Sequence, residues 1–133
     1  GANMFYFPYY LDDEGIYMAQ AWSLATQGKL APYTYFYDHA PAGWMQLALF
    51  AQATGGFFTF GFSINSGRFL MLIFHILSIG LLFAITKRLS QNTFAAIIAS
   101  LLFAFSPLEI YYGRQVLLDN MMIFWLLLSV YLV

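Results

Sequence analysis

The sequence predicts an all-α protein with several membrane-spanning helices. Of its 133 residues, 62% are hydrophobic and only 8% are charged, whereas about a quarter of the residues in soluble globular domains are charged. Apolar runs cover residues 69–86 and 93–107, and a third opens at Asn120 and continues to the last residue. Because a helix needs about 20 apolar residues to cross a bilayer, we predict two complete transmembrane helices and part of a third.

The charge balance and the lack of cysteine exclude several classes of protein. A formal net charge of −1 without any basic cluster gives no indication of a nucleic-acid partner. The absence of cysteine excludes disulfides and thiolate metal ligands. We therefore predict no metal site of the cysteine type, and we find no other ligand cluster at metal-binding spacing.

The N-terminal part predicts a helix from Asp13 to Gln27 that ends at Gly28. We predict that its apolar face consists of Met18, Ala21, Trp22 and Ala25. The polar residues are expected to lie away from that face: Gln20, Ser23 and Gln27. Residues 31–42 contain two prolines and several aromatic residues, which predict a loop.

Segment 43–60 decides on which side of the membrane the acidic residues lie. Two glutamines and a glycine pair interrupt its apolar character, so we predict a half-inserted helix that does not cross. The spans that follow then form one hairpin with a short loop near residues 87–92. Lys87 and Arg88 mark that loop as cytoplasmic. If segment 43–60 crosses instead, the acidic cluster and Asp119 lie on opposite sides.

We interpret residues 1–133 as the N-terminal part of a single transmembrane domain. Residues 1–66 are expected to form an extracytoplasmic loop with juxtamembrane helices, and residues 67–133 the transmembrane helices. The sequence has no initiator methionine and stops inside an apolar run. We therefore expect a fragment of a longer protein, inactive alone, whose first span precedes residue 1.

The few carboxylates are the main candidates for chemistry. Asp12, Asp13 and Glu14 are consecutive, and Asp119 follows Arg114 by five residues at the start of the third apolar run. Ionisable groups beside a membrane are costly and mark functional sites by default. A carboxylate can deprotonate an acceptor hydroxyl as it attacks a sugar carbon, while an arginine neutralises a departing phosphate.

Simpler roles exist for each of these groups. Asp12 or Asp13 could cap the helix that follows them. Asp119 could likewise cap the helix of the third apolar run. Arg114 could form a salt bridge or contact a phosphate.

Three basic side chains also have structural interpretations. We predict that Arg68 snorkels to lipid headgroups. His75, in mid-span without a second ligand at helical spacing, is predicted to be a packed, hydrogen-bonded histidine. His39 alone would be an ordinary interfacial histidine.

Several motifs occur together in a recognisable order. They are Asp12-Asp13-Glu14 before a short helix, then Tyr37-Asp38-His39-Ala40-Pro41-Ala42-Gly43-Trp44, Arg68 before a span, and Gly113-Arg114-Gln115-Val116-Leu117-Leu118-Asp119. With these motifs the chain resembles the GT-C glycosyltransferases of the protein O-mannosyltransferase and aminoarabinose transferase type (glycosyltransferase family 39 and relatives). The resemblance covers nearly the whole chain.

The resemblance implies roles for individual residues. Asp13 matches the family's first-loop aspartate, the catalytic base or acceptor-orienting group, Glu14 matches its partner, and Asp12 is the alternative in register. His39 matches the histidine of the family's His-Pro-Pro-Leu-Gly stretch, in which Ala40 and Ala42 depart from the usual proline and leucine. Asp119 matches the Leu-Asp element that opens the fourth span, and Arg114 matches the arginine upstream of that element. The set predicted from this comparison is Asp13 and Glu14 as catalytic residues, and Asp12, His39, Arg114 and Asp119 as substrate-binding residues.

The resemblance also implies the reaction and its setting. We expect transfer of a sugar from a polyprenyl-phosphate donor to a protein hydroxyl or a lipid-borne acceptor. The expected location is the extracytoplasmic face of a prokaryotic plasma membrane, among membrane lipids, with no cofactor or metal. The alternative is a transporter or channel whose acids bind ions or protons, which would favour carboxylates in mid-span.

Overall fold

The computed structural model describes residues 3–32 and 39–133, and within them it contains six α-helices and no strand. Asp38 and the tyrosines of the preceding loop lie outside the described residues. The helices are α1 (Asp12–Gln27), α2 (Ala42–Ala53), α3 (Ser63–Ser90), α4 (Thr93–Ala104), α5 (Pro107–Tyr112) and α6 (Leu118–Leu132). The prediction of an all-α membrane protein is therefore confirmed.

Helix α3 is the axis of the structure. Helices α4 and α6 pack along it, and α1 and α2 pack on each other and against α3. Apart from Ser78, the buried residues of α3 lie between Asn65 and Phe74, in its N-terminal half. The shared core therefore sits at that end, where α1, α2, α3 and the start of α6 meet; it consists chiefly of Tyr17, Met18, Ala21, Trp44, Leu47, Ala51, Leu70, Met71, Phe74, Val116 and Met121.

Helix lengths bear on which segments can cross a membrane. Helix α3 has 28 residues and is the one helix in the described part that is long and apolar enough to span a bilayer. Helices α4 and α6 are apolar but shorter. The 12 residues of α2 rise only about 18 Å, less than the hydrocarbon thickness of about 30 Å. Because α4 also has 12 residues, helix length does not decide whether segment 43–60 crosses, and the non-crossing topology stays a prediction.

The second predicted span is divided into two helices. Helix α4 ends at Ala104, and Pro107 starts α5 after an extended Ser106 (φ −57°, ψ 129°). Proline has no N–H to donate and keeps the preceding residue out of the helical region, so one continuous helix cannot pass this point. The chain therefore changes direction just before Glu109.

The end of α1 and the start of α4 follow signals in the sequence. Gly28 takes the left-handed conformation (φ 66°) and its N–H donates to the carbonyl of Leu24, which ends α1. Asn92 accepts hydrogen bonds from the N–H groups of Phe94 and Ala95 and so begins α4. These contacts fix the short polar connection that carries Lys87 and Arg88 at its entry.

The predicted face of α1 is partly wrong. Met18 and Ala21 are buried as expected, but Trp22 is 45% exposed whereas Gln20 and Ser23 are buried. Gln20 exchanges two hydrogen bonds with the backbone of Ala31, and the Ser23 hydroxyl donates to the carbonyl of Lys29. These polar side chains are inside because they satisfy the backbone of the turn that follows α1.

Candidate active site

The three consecutive acids at the start of α1 lie in different surroundings. Asp12 and Asp13 are exposed in the first turn, while Glu14 is fully buried. The residue that precedes the helix is Leu11, whose N–H donates to Oε2 of Glu14 at 3.1 Å. Glu14 therefore closes the N-terminal turn, and neither aspartate occupies the capping position.

Glu14 is the centre of a buried ionic cluster. Its Oε1 accepts hydrogen bonds from Nε of Arg68 at 2.9 Å and from the backbone N–H of Val116 at 2.8 Å. Its Oε2 accepts from Nη2 of Arg68 at 2.7 Å. The paired donors form a bidentate contact, the strongest arrangement of carboxylate and guanidinium. One carboxylate thus joins α1, α3 and the segment before α6.

Arg68 brings the N-terminal segment into the same cluster. Its Nη1 donates to the carbonyls of Met4 and Pro8 at 3.1 and 2.9 Å, and its guanidinium lies 4.7 Å from the centre of the Tyr10 ring. The side chain is 0% exposed. The prediction that Arg68 snorkels to headgroups is therefore wrong: a buried guanidinium requires a counter-charge, and Glu14 supplies it.

A groove lies beside this cluster, between the start of α2 and the start of α6. It has a volume of about 260 Å³, and two of the predicted substrate-binding residues, His39 and Asp119, line it together. Its other lining residues are Ala40, Ala42, Gly43, Gln46, Leu118, Met121, Met122 and Trp125. The groove thus combines a few polar groups with a predominantly apolar wall.

Contacts within the groove fix its polar groups. The hydroxyl of Tyr17 lies 3.2 Å from Nε2 of His39, and the two rings meet edge to face. The indole N–H of Trp125 donates to Oε1 of Gln46 at 3.0 Å, which links α6 to α2. A Cβ atom at Gly43 would lie 2.6 Å from a methyl group of Leu118. Glycine at this position permits the two walls to approach.

The acidic turn and the groove are connected through α1 and through Val116. Asp13 and Tyr17 are four residues apart and therefore share a face of α1, and Tyr17 contacts His39. Val116, held by Glu14, precedes Asp119 by three residues. The structure thus brings His39 and Asp119 together in the groove, whereas Asp12 and Asp13 do not line it.

Arg114 lies apart from this groove. It lines a second cavity of about 140 Å³ with Arg68, His75 and Glu109, between α3 and α5. The predicted roles of all six residues stay predictions, since they concern substrate contact.

Sequence reasoning missed several residues that shape the site. Arg68 was assigned to the headgroups, and Tyr17, Gln46 and Trp125 were not singled out. A signal for Arg68 existed, because a charged residue between Gly67 and a long apolar run needs a partner. The identity of that partner, 54 residues earlier in the chain, has no signature in local spacing.

A comparison with protein families supplies the identity of the chain. The family described as dolichyl-phosphate-mannose-protein mannosyltransferase matches residues 17–133. The chain belongs to this family. It is therefore, at the level of the family, a membrane glycosyltransferase of the mannosyltransferase type, which favours the enzyme over the transporter interpretation. Comparisons with curated proteins and with solved structures give no match.

The matched range includes some of the candidate residues and omits others. His39, Arg114 and Asp119 lie within it, whereas Asp12, Asp13 and Glu14 precede its first residue. Membership of the mannosyltransferase family therefore does not by itself assign a role to the acidic turn. That assignment depends on the geometry around α1.

Proposed function

We propose that this mannosyltransferase-family chain binds a polyprenyl-phosphate sugar in the groove between α2 and α6 and transfers the sugar to an acceptor hydroxyl. The observation that carries the proposal is the composition of the groove, which places His39 and Asp119 beside an apolar wall formed by Met121, Met122 and Trp125. A lipid-linked sugar is itself polar at one end and apolar along its chain. A groove of this kind fits the junction between the two parts.

The charges in the groove suggest how the polar end of the donor is held. Asp119 is negative and exposed, so it suits the sugar hydroxyls, which donate hydrogen bonds, better than the phosphate. His39 can donate a ring N–H to a phosphate oxygen, and its contact with Tyr17 holds the ring in place. Family members take the sugar from a lipid phosphate, and the acceptor proposed here is a protein or lipid hydroxyl.

Asp13 is the proposed base. Its carboxylate is exposed at the start of α1, four residues before Tyr17, whose hydroxyl contacts His39. The acceptor oxygen attacks the anomeric carbon of the sugar and the bond from that carbon to the phosphate oxygen breaks. The hydroxyl proton passes to Asp13, and the lipid phosphate leaves with the bonding electrons.

Glu14 is assigned a positioning role in this scheme. Its oxygens accept four hydrogen bonds from Arg68, Leu11 and Val116, which leaves little capacity for a substrate. It holds the first turn of α1 and the segment before Asp119 at a fixed separation. We place the site on the extracytoplasmic side because Lys87 and Arg88 lie at the opposite end of α3 from Glu14's partner Arg68.

The proposal is tested by comparing two neighbouring substitutions in the full-length protein in membranes. With radiolabelled polyprenyl-phosphate mannose as donor, Asp13→Asn is expected to reduce transfer by about 100-fold or more, the range for loss of a general base. Asp12→Asn removes an equally exposed charge one residue earlier and is the matched control, with an expected loss below about 10-fold. Unchanged transfer in Asp13→Asn, with loss in Asp12→Asn, would assign the base to Asp12.

A further inference from the structure

His75 and Glu109 form a largely buried polar contact between α3 and α5 that the proposed reaction does not use. Nδ1 of His75, on α3, lies 3.3 Å from Oε2 of Glu109, on α5, and both side chains are about four-fifths buried (17% and 20% exposed). The His75 ring also stacks on Phe103 of α4. This contact confirms that His75 is packed and hydrogen-bonded. His75 lies twelve positions after Ser63, which places it about 18 Å along α3.

The pair connects α3 to α5, and α5 leads into the segment that ends at Asp119 in the groove. Helix α5 ends at Tyr112, and the next residues carry Arg114, Gln115 and Val116 to the start of α6. Arg114 lines the same cavity as the pair. The position of α5 on α3 therefore sets the starting point of the segment that ends at Asp119.

The other end of this segment is fixed by hydrogen bonds of Val116, Gln115 and Asn120. The Val116 N–H donates to Glu14, and Nε2 of Gln115 donates to the carbonyl of Tyr9 at 3.3 Å. Nδ2 of Asn120 donates to the carbonyls of Tyr112 and Gln115. The segment is thus held to α1 on one side and to its own preceding helix on the other, while the His75–Glu109 contact attaches that helix to the span.

We propose that His75 and Glu109 are positioning residues for the transfer reaction: their contact holds α5 on α3 and thereby keeps Asp119 in the groove. The inference rests on the proposed function, because its consequence is better binding of the lipid-linked donor. A polar pair that is about four-fifths buried is costly to remove from water, so its presence requires an explanation. The break at Ser106 and Pro107 explains why the pair is needed. Because α5 is not continuous with α4, it requires its own contact with α3.

Donor kinetics test the effect on the groove. In the full-length protein, His75→Phe and Glu109→Ala are each expected to raise the KM for polyprenyl-phosphate mannose about 10-fold, with a smaller change in kcat. The double variant should be no worse than either single variant, because both remove the same contact. His75→Gln, which can still donate to Glu109, should restore the KM to within about 2-fold of the parent value. Leu72→Ala enlarges the same cavity without touching the pair and is the matched control.

Three kinetic results would overturn the proposal. They are an unchanged KM in His75→Phe, effects of the two single variants that multiply in the double variant, and a rise of equal size in Leu72→Ala. The last would show that packing of the cavity, and not the polar contact, is responsible.

A spectroscopic measurement tests the attachment without any activity. In a cysteine-free background of the full-length protein, spin labels can be introduced at two exposed leucines, Leu89 on α3 and Leu108 on α5. The distance distribution between them should broaden in His75→Phe and Glu109→Ala and remain narrow in His75→Gln and Leu72→Ala. An unchanged distribution in His75→Phe would overturn the positioning role. Because this result needs no substrate, absence of transfer in the parent protein would refute the proposed function alone.

Discussion

Glu14 and Asp13 are neighbours in the sequence but belong to two different regions of the molecule. Glu14 is buried with Arg68 in a cluster that joins three parts of the chain, whereas Asp13 is exposed in the first turn of α1. One helical turn therefore presents an acid to the interior and an acid to the surface. A run of acidic residues therefore need not act as a single unit: Glu14 is committed to internal contacts, whereas Asp13 is open to the surface.

The largest effect is expected from breaking the buried pair. Glu14→Gln leaves the guanidinium of Arg68 without a counter-charge in a buried position, which costs about 3–5 kcal/mol. Arg68→Met should cost a similar amount, because it leaves the carboxylate unpaired. Thermal unfolding in detergent measures both losses.

The double variant shows how much of each loss of stability comes from leaving one buried charge unpaired. Glu14→Gln combined with Arg68→Met removes both charges and should be less destabilised than the sum of the two single variants. Asp12→Asn, at the exposed surface of the same turn, is the control and should change stability by about 0.5 kcal/mol or less. A Glu14→Gln variant as stable as the control would contradict the structural role of the cluster.

A smaller effect is expected from crowding the same junction. Gly67 precedes Arg68, and a Cβ atom there would lie 2.7 Å from both Sδ of Met18 and a methyl group of Val116. Gly67→Ala should therefore destabilise the protein by about 1–3 kcal/mol through overpacking. Gly80, on the same helix, has nothing within 4 Å of the added atom, so Gly80→Ala should be neutral or stabilising. Equal melting temperatures for the two variants would show that α1, α3 and Val116 do not meet closely.

The smallest effect on the protein is expected from two cysteine substitutions that test whether segment 43–60 crosses the membrane. In a cysteine-free background, Gln27→Cys lies at the end of α1 and Gln91→Cys lies between α3 and α4, both exposed. If α2 does not cross, a membrane-impermeant maleimide applied to intact cells should label Gln27→Cys and should reach Gln91→Cys only after permeabilisation. If segment 43–60 crosses, both positions lie on the same side and label together.

Much of the helical architecture could be predicted from local signals. Gly28 ends α1, the polar residues from Lys87 to Asn92 separate two apolar helices, and the third apolar helix, predicted to open at Asn120, begins at Leu118. These features depend on neighbours in the chain, through caps, periodicity and polarity. The division between α4 and α5 has a local cause as well, since Pro107 interrupts the helix.

The burial of polar residues could not be predicted in the same way. Gln20 and Ser23 are inside because of the path of the turn after α1, and Glu14 is inside because Arg68 and Val116 reach it from distant parts of the chain. Such contacts depend on how the helices pack, which periodicity does not encode. For the candidate site, resemblance selected His39 and Asp119, and the structure places them in one groove.

In the proposed scheme, Asp13 acts in the reaction while Glu14 maintains the structure around it. The most direct test measures transfer from polyprenyl-phosphate mannose and the melting temperature side by side for Asp13→Asn and Glu14→Gln in the full-length protein. We predict that Asp13→Asn loses transfer by about 100-fold or more with an unchanged melting temperature, and that Glu14→Gln lowers the melting temperature. Full transfer by a stable Asp13→Asn protein would contradict the role of Asp13 as the base.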